Sequence, residues 1–453
     1  TVAMTGGQDA AGNMPIPDLT RFLEAEGVVR TVVVSDDAHD YDSELASTAR
    51  IEHRDHYNAV QRELLDLPGV TAIVYDQRCA AELRRDRKRG RVETPTKRIF
   101  INEAVCDGCG DCGRVSNCMS VHPVDTVFGR KTRIHQESCN YDYSCVDGNC
   151  PAFIEVEIDP DAPTSQVGGV TVPDGPATPD PTVPDQATVL IVGIGGTGVV
   201  TVSQVLSTAA LFDGKEAVSL DQTGLAQKGG QVISNLKIGT DVGDVAARVG
   251  GGEADTALIF DVVGGTSSDV LSRTRPGESA AVVSSVLLPT GTMVRQLGHG
   301  FPELDAFRQA IESATDPAET TWLDAEGIAR RVFGSQPAAN LIVVGIAYQR
   351  GLLPVSAHGI ESAITQNGVA VDMNLDAFRL GRRLAAEPKL LSHLADTTAP
   401  DVNEAPTPTG EVADIVDRSG GREQLRELLA WRSPERSASQ TTADATRYAT
   451  EGA

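Results

Sequence analysis

The sequence predicts an α/β protein that carries a cysteine-rich insert. Short apolar, β-branched runs alternate with helical segments, seven cysteines fall between residues 106 and 150, and a glycine turn follows one of the apolar runs. Such runs are typical of parallel strands buried on both faces, with helices packed against them. The 453 residues are enough for two to four domains.

Residues 1–100 have the pattern of an α/β segment. Residues 28–35 and 69–76 are apolar enough for buried strands, residues 43–66 resemble a helix, and another helix starts at Ala80. We interpret Cys79 as a buried thiol. The basic run RRDRKRGR at 84–91 is interpreted as a solvated helix face, with a docking patch for an acidic partner as the alternative.

Residues 101–157 form the cysteine region. Cys106, Cys109 and Cys112 are spaced Cys-x2-Cys-x2-Cys with glycines between them, and Cys150 precedes a proline. This pattern is typical of iron–sulfur ligands, because short glycine turns wrap three thiolates around one corner of a cluster. The alternative is structural zinc, which normally shows two separated Cys-x2-Cys pairs. The spacing therefore favours an iron–sulfur protein, and we expect it to be cytoplasmic.

Residues 158–186 contain seven prolines and few bulky apolar side chains, which predicts an extended linker. Residues 187–395 read as a doubly wound, Rossmann-like domain, because a strand from Ala187 leads into a glycine turn and a helix, with further strands at 255–263 and 279–288. Residues 396–453 are polar and rich in proline and threonine, which predicts a flexible tail.

The glycine turn GIGGTG is a candidate anion site. It places Gly193, Gly195, Gly196 and Gly198 between a strand and a helix, where backbone amides can meet a phosphate. Glycines that merely allow tight packing are an equal alternative. Asp221 follows Gly193 by 28 residues, which is late for the acid of a dinucleotide fingerprint. A nicotinamide-dependent dehydrogenase is therefore the weaker alternative.

A second candidate contact lies downstream. Gln227 and Lys228 stand in a glycine-rich loop after a strand, and loops at that end of a sheet commonly hold ligands. The net charge of −24 argues against nucleic acid as a partner. No run of eighteen apolar residues occurs, so no membrane span is predicted.

These motifs together resemble the 2-oxoacid:ferredoxin oxidoreductases, above all the long single-chain indolepyruvate ferredoxin oxidoreductases. The stretches that carry the resemblance stand in the family's order over roughly residues 1–390; they include AMTGGQDA, YDQRCAAELRRDRKRG, CDGCGDCGRVSNC, CNYDYSC, GIGGTGVVTVSQVLSTAALFDGKEAVSLDQTGLAQKGGQV and NGVAVDMNLDAFRLGRR.

The resemblance implies oxidative decarboxylation of a 2-oxoacid, with indolepyruvate or another aryl pyruvate as substrate. Thiamine diphosphate would carry the reaction, 4Fe-4S clusters would pass electrons to ferredoxin, and CoA would be the co-substrate that leaves as acyl-CoA. Residues 1–100 would be the C-terminal half of the thiamine-diphosphate-binding domain, and 187–395 the gamma-type domain. The loop beside the cofactor's diphosphate and Mg²⁺ would contain Thr5, Gly6, Gly7 and Gln8.

The family's GDG magnesium motif and its thiamine-activating glutamate would precede Thr1. We therefore expect an upstream polypeptide to supply them, thiamine diphosphate and Mg²⁺ to bind only together with it, and the chain to be inactive alone. We also expect an oligomer. The alternative of another class is a stand-alone electron-transfer or remnant protein without turnover.

Two cubanes need eight ligands, whereas the region offers seven cysteines. In a two-cluster ferredoxin fold each cluster takes three ligands from one run and its fourth from the other run. Asp142 stands where the second run would have its middle cysteine, and a carboxylate can bind iron, although more weakly than thiolate. The alternative is a single cubane with spare cysteines. The predicted ligands are Cys106, Cys109, Cys112 and Cys150 for one cluster, and Cys118, Cys139, Asp142 and Cys145 for the other.

Overall fold

A computed structural model describes residues 12, 14–36, 44–77, 80–88, 90–126, 129–148, 150–159, 172, 178–195, 197–224, 230–296, 303–387, 389–390 and 394. The chain divides into two compact units, the first made of residues 1–96 and 140–143 and the second of residues 97–139 and 144–453. Within the described ranges, no helix has both the length and the apolar character that a membrane crossing requires.

The first unit is built on a three-stranded parallel sheet in the order β2-β1-β3. Its central strand is buried from Thr31 to Ser35, and Val32 and Val34 pack against Val60 and Leu64 of one helix. The predicted strands and the helix at Ala80 are confirmed. The elements are α1 (Ile16–Ala25), β1 (Arg30–Ser35), β2 (Ala49–His53), α2 (Tyr57–Leu65), β3 (Thr71–Asp76) and α3 (Ala80–Lys88).

The predicted helix over 43–66 is wrong in its first part. Residues 49–53 form β2, which pairs in parallel with β1 from Thr31 opposite Ala49. Without β2, one side of the buried central strand would leave its backbone groups unpaired, which is costly. The sequence ARIEH alternates in polarity and so fits an edge strand. The helix α2 begins only at Tyr57, after a 3₁₀ turn at Arg54–His56.

The second unit begins with the cysteine region, which two antiparallel strand pairs frame. β4 pairs with β7, and β5 pairs with β6. Two 3₁₀ turns, Gln136–Ser138 and Ser144–Asp147, connect the second pair to the end of the region. The elements are β4 (Lys97–Ile101), α4 (Asp111–Ser116), β5 (Val121–Thr126), β6 (Gly129–Ile134) and β7 (Phe153–Glu157).

The remainder of the second unit is an α/β domain on a six-stranded sheet in the order β13-β12-β11-β8-β10-β9. The strands are β8 (Ala187–Ile194), β9 (Glu216–Thr223), β10 (Gln231–Gly239), β11 (Thr256–Ile259), β12 (Ala280–Ser284) and β13 (Thr320–Leu323). The helices are α5 (Val199–Phe212), α6 (Val262–Gly265), α7 (Ser268–Leu271), α8 (Gly291–Arg295), α9 (Leu304–Ala314), α10 (Ala325–Phe333), α11 (Ala339–Gln349), α12 (Ala357–Asn367) and α13 (Val371–Ala386).

The sheet is rich in parallel strands but mixed. β8, β11, β12 and β13 run parallel, whereas β10 is antiparallel to both of its neighbours. The doubly wound prediction therefore holds for the parallel half only. Residues 224–230 are too few for the crossover that a parallel connection needs, so β9 and β10 form a hairpin.

Helix α11 is the core of this domain, because it is buried from Ala339 to Tyr348. It crosses α13 at two glycines, and a Cβ added to Gly345 would lie 2.2 Å from the Phe378 carbonyl oxygen. Residues 178–186 of the predicted linker are bound to this helix pair, since Asp180 accepts hydrogen bonds from Arg382 at 2.8 Å and from the Tyr348 hydroxyl at 3.1 Å. The predicted tail lies outside the described residues.

Candidate functional site

The turn that carries the first three cysteines depends on glycine. Gly108 and Gly110 adopt φ values of +67° and +73°, which other residues rarely adopt. A Cβ on Gly108 would lie 2.0 Å from the carbonyl oxygen of Arg130, and one on Gly113 would lie 2.9 Å from that of Val294. The turn can therefore form only with glycine at these positions, as the sequence pattern predicts.

The three sulfur atoms of this turn interact electrostatically. Burial raises the pKa of the Cys112 thiol, hydrogen bonds from Gly113 and Thr132 lower it, and the charges of Cys106 and Cys109 raise it further. The Gly108 amide donates to Cys106 Sγ at 3.4 Å. Amide donors of this kind stabilise the charge on a metal-bound thiolate and tune cluster potentials.

The segments that carry Cys118 and Cys139 are bonded to each other at the open end of the β5–β6 pair. The Ser120 amide donates to Cys118 Sγ at 3.5 Å, and the Ser120 hydroxyl donates at 2.7 Å to the carbonyl oxygen of Ser138, the residue before Cys139. The two serines also bond to each other through their hydroxyls at 3.0 Å. These bonds fix the two cysteine-bearing loops against each other.

The last two cysteines lie on segments that return to the first turn. Helix α4, which carries Cys112, packs against the 3₁₀ turn that carries the buried Cys145. The Asn102 amide donates to the Ala152 carbonyl oxygen at 2.8 Å, which brings the chain after Cys150 back beside the segment before Cys106. Asp142 belongs to the first unit, and its assignment as a ligand stays a prediction.

None of the seven cysteines that the structure describes is in a disulfide. Among these same residues, no group of three or more His, Cys, Asp or Glu side chains is arranged to hold a metal ion. The chemistry of the set, seven thiols with backbone amides directed at two of them, fits iron–sulfur ligation. The assignment of these cysteines as cluster ligands stays a prediction.

The cysteine region docks on the α/β domain of the same unit. Arg130 donates to the carbonyl oxygens of Met293 and Gln296 around α8. The amide nitrogen of Gln336, just before α11, contacts His135 Nε2 at 2.9 Å. Four residues further on, Asn340 donates to the Thr197 carbonyl oxygen in the glycine turn at 2.6 Å. One short segment therefore contacts both candidate sites.

The glycine turn is largely occupied by the protein's own packing. A Cβ on Gly193 would lie 2.7 Å from Val199 Cγ2, and the Gly195 amide donates to the Gly230 carbonyl oxygen at 2.7 Å. Gly198 has a φ of +99°, and its missing side chain makes room for Asn340. These contacts favour the packing interpretation at the three described glycines. Gly196 lies outside the described residues.

The strand topology separates Asp221 from the turn. It lies on the edge strand β9, two strands away from β8, and accepts a hydrogen bond from Ser234. A dinucleotide fingerprint needs its acid at the end of the next parallel strand. Gln227 and Lys228 lie outside the described residues. The segment that holds them connects β9 to β10, and its last residue, Gly230, borders the turn.

Asp261 is a buried carboxyl that no sequence motif indicated. It follows β11 at the same edge of the sheet and accepts hydrogen bonds from the Gly264 amide at 2.7 Å and the Leu288 amide at 3.0 Å. Burial raises its pKa from 3.8 to about 6, while the backbone donors act in the opposite direction. This carboxyl ties the loops after β11 and β12 together.

The first unit has an open groove of about 510 Å³ at the carboxyl ends of its strands, lined by Arg54, Asp55, Tyr57 and Tyr75. Arg54 is already paired with Asp36 at 2.7 Å, so the groove offers no uncompensated positive charge among these residues. Thr5, Gly6, Gly7, Gln8 and Cys79 lie outside the described residues.

In the basic run, Arg87 has a structural role. It donates to the Asn140 carbonyl oxygen at 2.6 Å and lies 5.6 Å from the centre of the Tyr141 ring. Arg91 lies 3.6 Å from Asp86, which is buried. The interpretation as a wholly solvated face therefore does not hold for Arg87.

Comparison with known proteins supports the family resemblance for the α/β domain. Residues 188–384 match the family described as pyruvate ferredoxin/flavodoxin oxidoreductase. Two relatives carry the name indolepyruvate oxidoreductase subunit IorB. The one from Methanothermobacter thermautotrophicus is 27% identical over 201 residues, 44% of this chain and 97% of the relative. The one from Pyrococcus horikoshii is 28% identical over 202 residues, 44% of this chain and 96% of the relative.

Among solved structures, the chain is similar over part of its length to the gamma subunit of a keto/oxoacid ferredoxin oxidoreductase from Geobacter sulfurreducens. The two are 20% identical, the match covers 44% of this chain and 98% of that subunit, and the TM-score is 0.32. These sequence matches confirm the resemblance over residues 188–384, the part of the chain that matches the pyruvate ferredoxin/flavodoxin oxidoreductase family.

Proposed function

We propose that this chain is the electron-transferring component of a 2-oxoacid:ferredoxin oxidoreductase that acts on indolepyruvate or another aryl pyruvate. The observation that carries the proposal is the docking of the cysteine region on the family domain, through Arg130 on α8 and through His135 on Gln336. A cluster-binding segment held in this way belongs to the machinery of the enzyme rather than to an independent carrier.

The seven cysteines, with Asp142 as the eighth ligand, would hold two 4Fe-4S clusters, which accept and release single electrons when bound. The chain's own residues hold the cysteine loops in place and donate hydrogen bonds to the sulfur atoms. Gly108 and Ser120 direct amide donors at ligand sulfurs, and Lys131 donates to the Cys106 carbonyl oxygen. These contacts hold the ligand loops in one geometry, which keeps the structural rearrangement on electron transfer small. Gln227 and Lys228 stay proposed ligand contacts, and CoA is the proposed co-substrate.

Ferredoxin is the proposed acceptor, and a polypeptide with the rest of the thiamine-diphosphate site is the proposed partner. The test is a spectroscopic one. The reconstituted chain is mixed with indolepyruvate, CoA, thiamine diphosphate and Mg²⁺, and bleaching of the cluster absorbance is followed. We expect no bleaching by the chain alone and rapid bleaching once the partner polypeptide is added. Turnover by the chain alone would contradict the proposal, and no bleaching with the partner would favour the stand-alone electron carrier.

A further inference from the structure

Gln336 lies on the α/β domain, yet a continuous line of hydrogen bonds connects it to a cysteine sulfur. The line runs from Gln336 to His135, from there to the hydroxyls of Ser138 and Ser120, and ends where the Ser120 amide donates to Cys118 Sγ. We propose that Gln336 is a positioning residue that sets the reduction potential of the cluster bound by Cys118 and Cys139. The inference rests on the proposed function.

The donor and the acceptor of each hydrogen bond between Gln336 and Ser138 can be assigned. Glu326 accepts one hydrogen from the Gln336 amide nitrogen, which leaves the second for His135 Nε2 at 2.9 Å. An amide nitrogen can only donate, so Nε2 of His135 must accept and its proton must lie on Nδ1. Nδ1 then donates to the Ser138 hydroxyl at 2.9 Å.

The serines transmit this order to the ligand loops. With its oxygen accepting from His135, the Ser138 hydroxyl donates to Ser120 at 3.0 Å, and the Ser120 hydroxyl donates to the Ser138 carbonyl oxygen at 2.7 Å. The His135 amide also donates to the Ser120 carbonyl oxygen at 2.8 Å. Ser120 is thereby fixed on three sides, and its amide stays aimed at Cys118 Sγ.

The packing around His135 supports a positioning role. Its ring stacks on His122 at 4.7 Å between centroids, with 8° between the ring planes. Burial raises the pKa of Glu326, and the adjacent Arg330, at 2.8 Å, favours its ionised form. Stacking on His122 thus fixes the plane of the His135 ring, and the contact with Gln336 fixes which ring nitrogen carries the proton.

The consequence for the cluster follows from charge. Reduction adds an electron to the cluster, and an amide dipole pointed at a ligand sulfur stabilises the extra negative charge. Loss of the Gln336 amide would remove the donor that holds Nε2 of His135 as an acceptor, so the ring could take the opposite tautomer. Nδ1 would then accept from Ser138, and the link from Ser138 to Ser120 would break. The reduced state would lose stabilisation, so the potential should fall.

The test is an EPR-monitored redox titration of the reconstituted full chain, with iron and sulfide assayed in every sample. We expect Gln336→Leu to retain the parent's iron content and to shift the reduced-to-oxidised ratio of one cluster about tenfold at fixed potential. For a one-electron couple that is a fall of about 59 mV. The matched control is Gln349→Leu, which removes an amide that donates to the Pro179 carbonyl oxygen at 2.8 Å, and should leave both potentials unchanged.

His135→Phe keeps a stacking ring but removes both nitrogens, and it decides the matter if Gln336→Leu does not assemble a cluster. It should lower the same potential, and the double variant should show no further fall, because both residues act through one line. If the parent binds clusters and both single variants keep the parent's reduction potential, the inference is overturned and the proposed function is not. The same holds if the double variant shows the sum of the two single shifts. If the parent binds no iron, the proposed function is overturned as well.

Discussion

Asp261 should make the α/β domain less stable as the pH rises. Its carboxyl is buried with a pKa of about 6 in the folded chain, against 3.8 for the unfolded reference. The folded state therefore binds more protons between these values, so this residue's stabilisation is complete below pH 3.8 and is lost as the pH rises through 6. At 1.36 kcal/mol per pKa unit, the loss is about 3 kcal/mol.

The perturbation is Asp261→Asn, which cannot ionise. Its amide oxygen can still accept from one backbone amide, but its NH₂ group cannot accept from the other, at a cost of about 1–3 kcal/mol that does not depend on pH. The free energy of unfolding of the parent minus that of the variant should therefore fall by about 2 kcal/mol from pH 4 to pH 7, most of the full loss. All other carboxylates are common to both chains and cancel.

The assay is urea unfolding at a series of pH values, followed by the fluorescence of Trp322 on β13 of the same sheet. A Trp431→Phe background leaves Trp322 as the sole tryptophan of the chain. A difference that stays constant from pH 4 to pH 7 would show that folding does not raise the pKa of Asp261. A difference that grows with pH would show that the backbone donors at Gly264 and Leu288 outweigh burial and lower the pKa.

Three further outcomes are expected. Gly198→Ala should destabilise the domain by about 1–3 kcal/mol more than Gly214→Ala, because both have positive φ but only the first would press on a neighbour, at 2.9 Å; equal losses in urea unfolding would contradict this. Gly108→Ala should reduce bound iron in a colorimetric assay while Gly129→Ala does not, because only the former would strike a backbone oxygen; parental iron in both would refute it. Asp142→Cys should slow oxidative iron loss, seen by EPR as less three-iron signal, because thiolate holds iron more strongly than carboxylate; an unchanged signal would remove Asp142 as a ligand.

Much of the fold could be predicted because burial leaves a direct mark on the sequence. The apolar runs that became β1, β8 and β12 had to be strands within a covered sheet, and the glycines beside the cysteines had to form turns. Strand β2 was missed because an edge strand is half-exposed, so its short polar–apolar alternation is easily absorbed into the helix that follows. The β9–β10 hairpin was missed for the same reason, since β9 is largely exposed.

The sequence could not reveal contacts between residues that lie far apart along the chain. His135 and Gln336 are 201 residues apart, and neither lies in a motif, so only the folded chain shows that they meet. Asp261 follows an apolar run as many solvated aspartates do, and its burial depends on the loop after β12. The glycine turn is a motif that the sequence did show, but its pattern is compatible with both anion binding and tight packing. Only the contacts of Gly193 and Gly195 in the folded chain favour packing.

We propose that the cysteine region holds two iron–sulfur clusters for electron transfer. The most direct measurement is iron and acid-labile sulfide per chain after anaerobic reconstitution, with zinc assayed in the same samples. We expect about eight irons and about eight sulfides per chain, with a cluster absorbance that a low-potential reductant bleaches. About four irons would leave one cubane with spare cysteines, and zinc without sulfide would show that the region holds no iron–sulfur cluster.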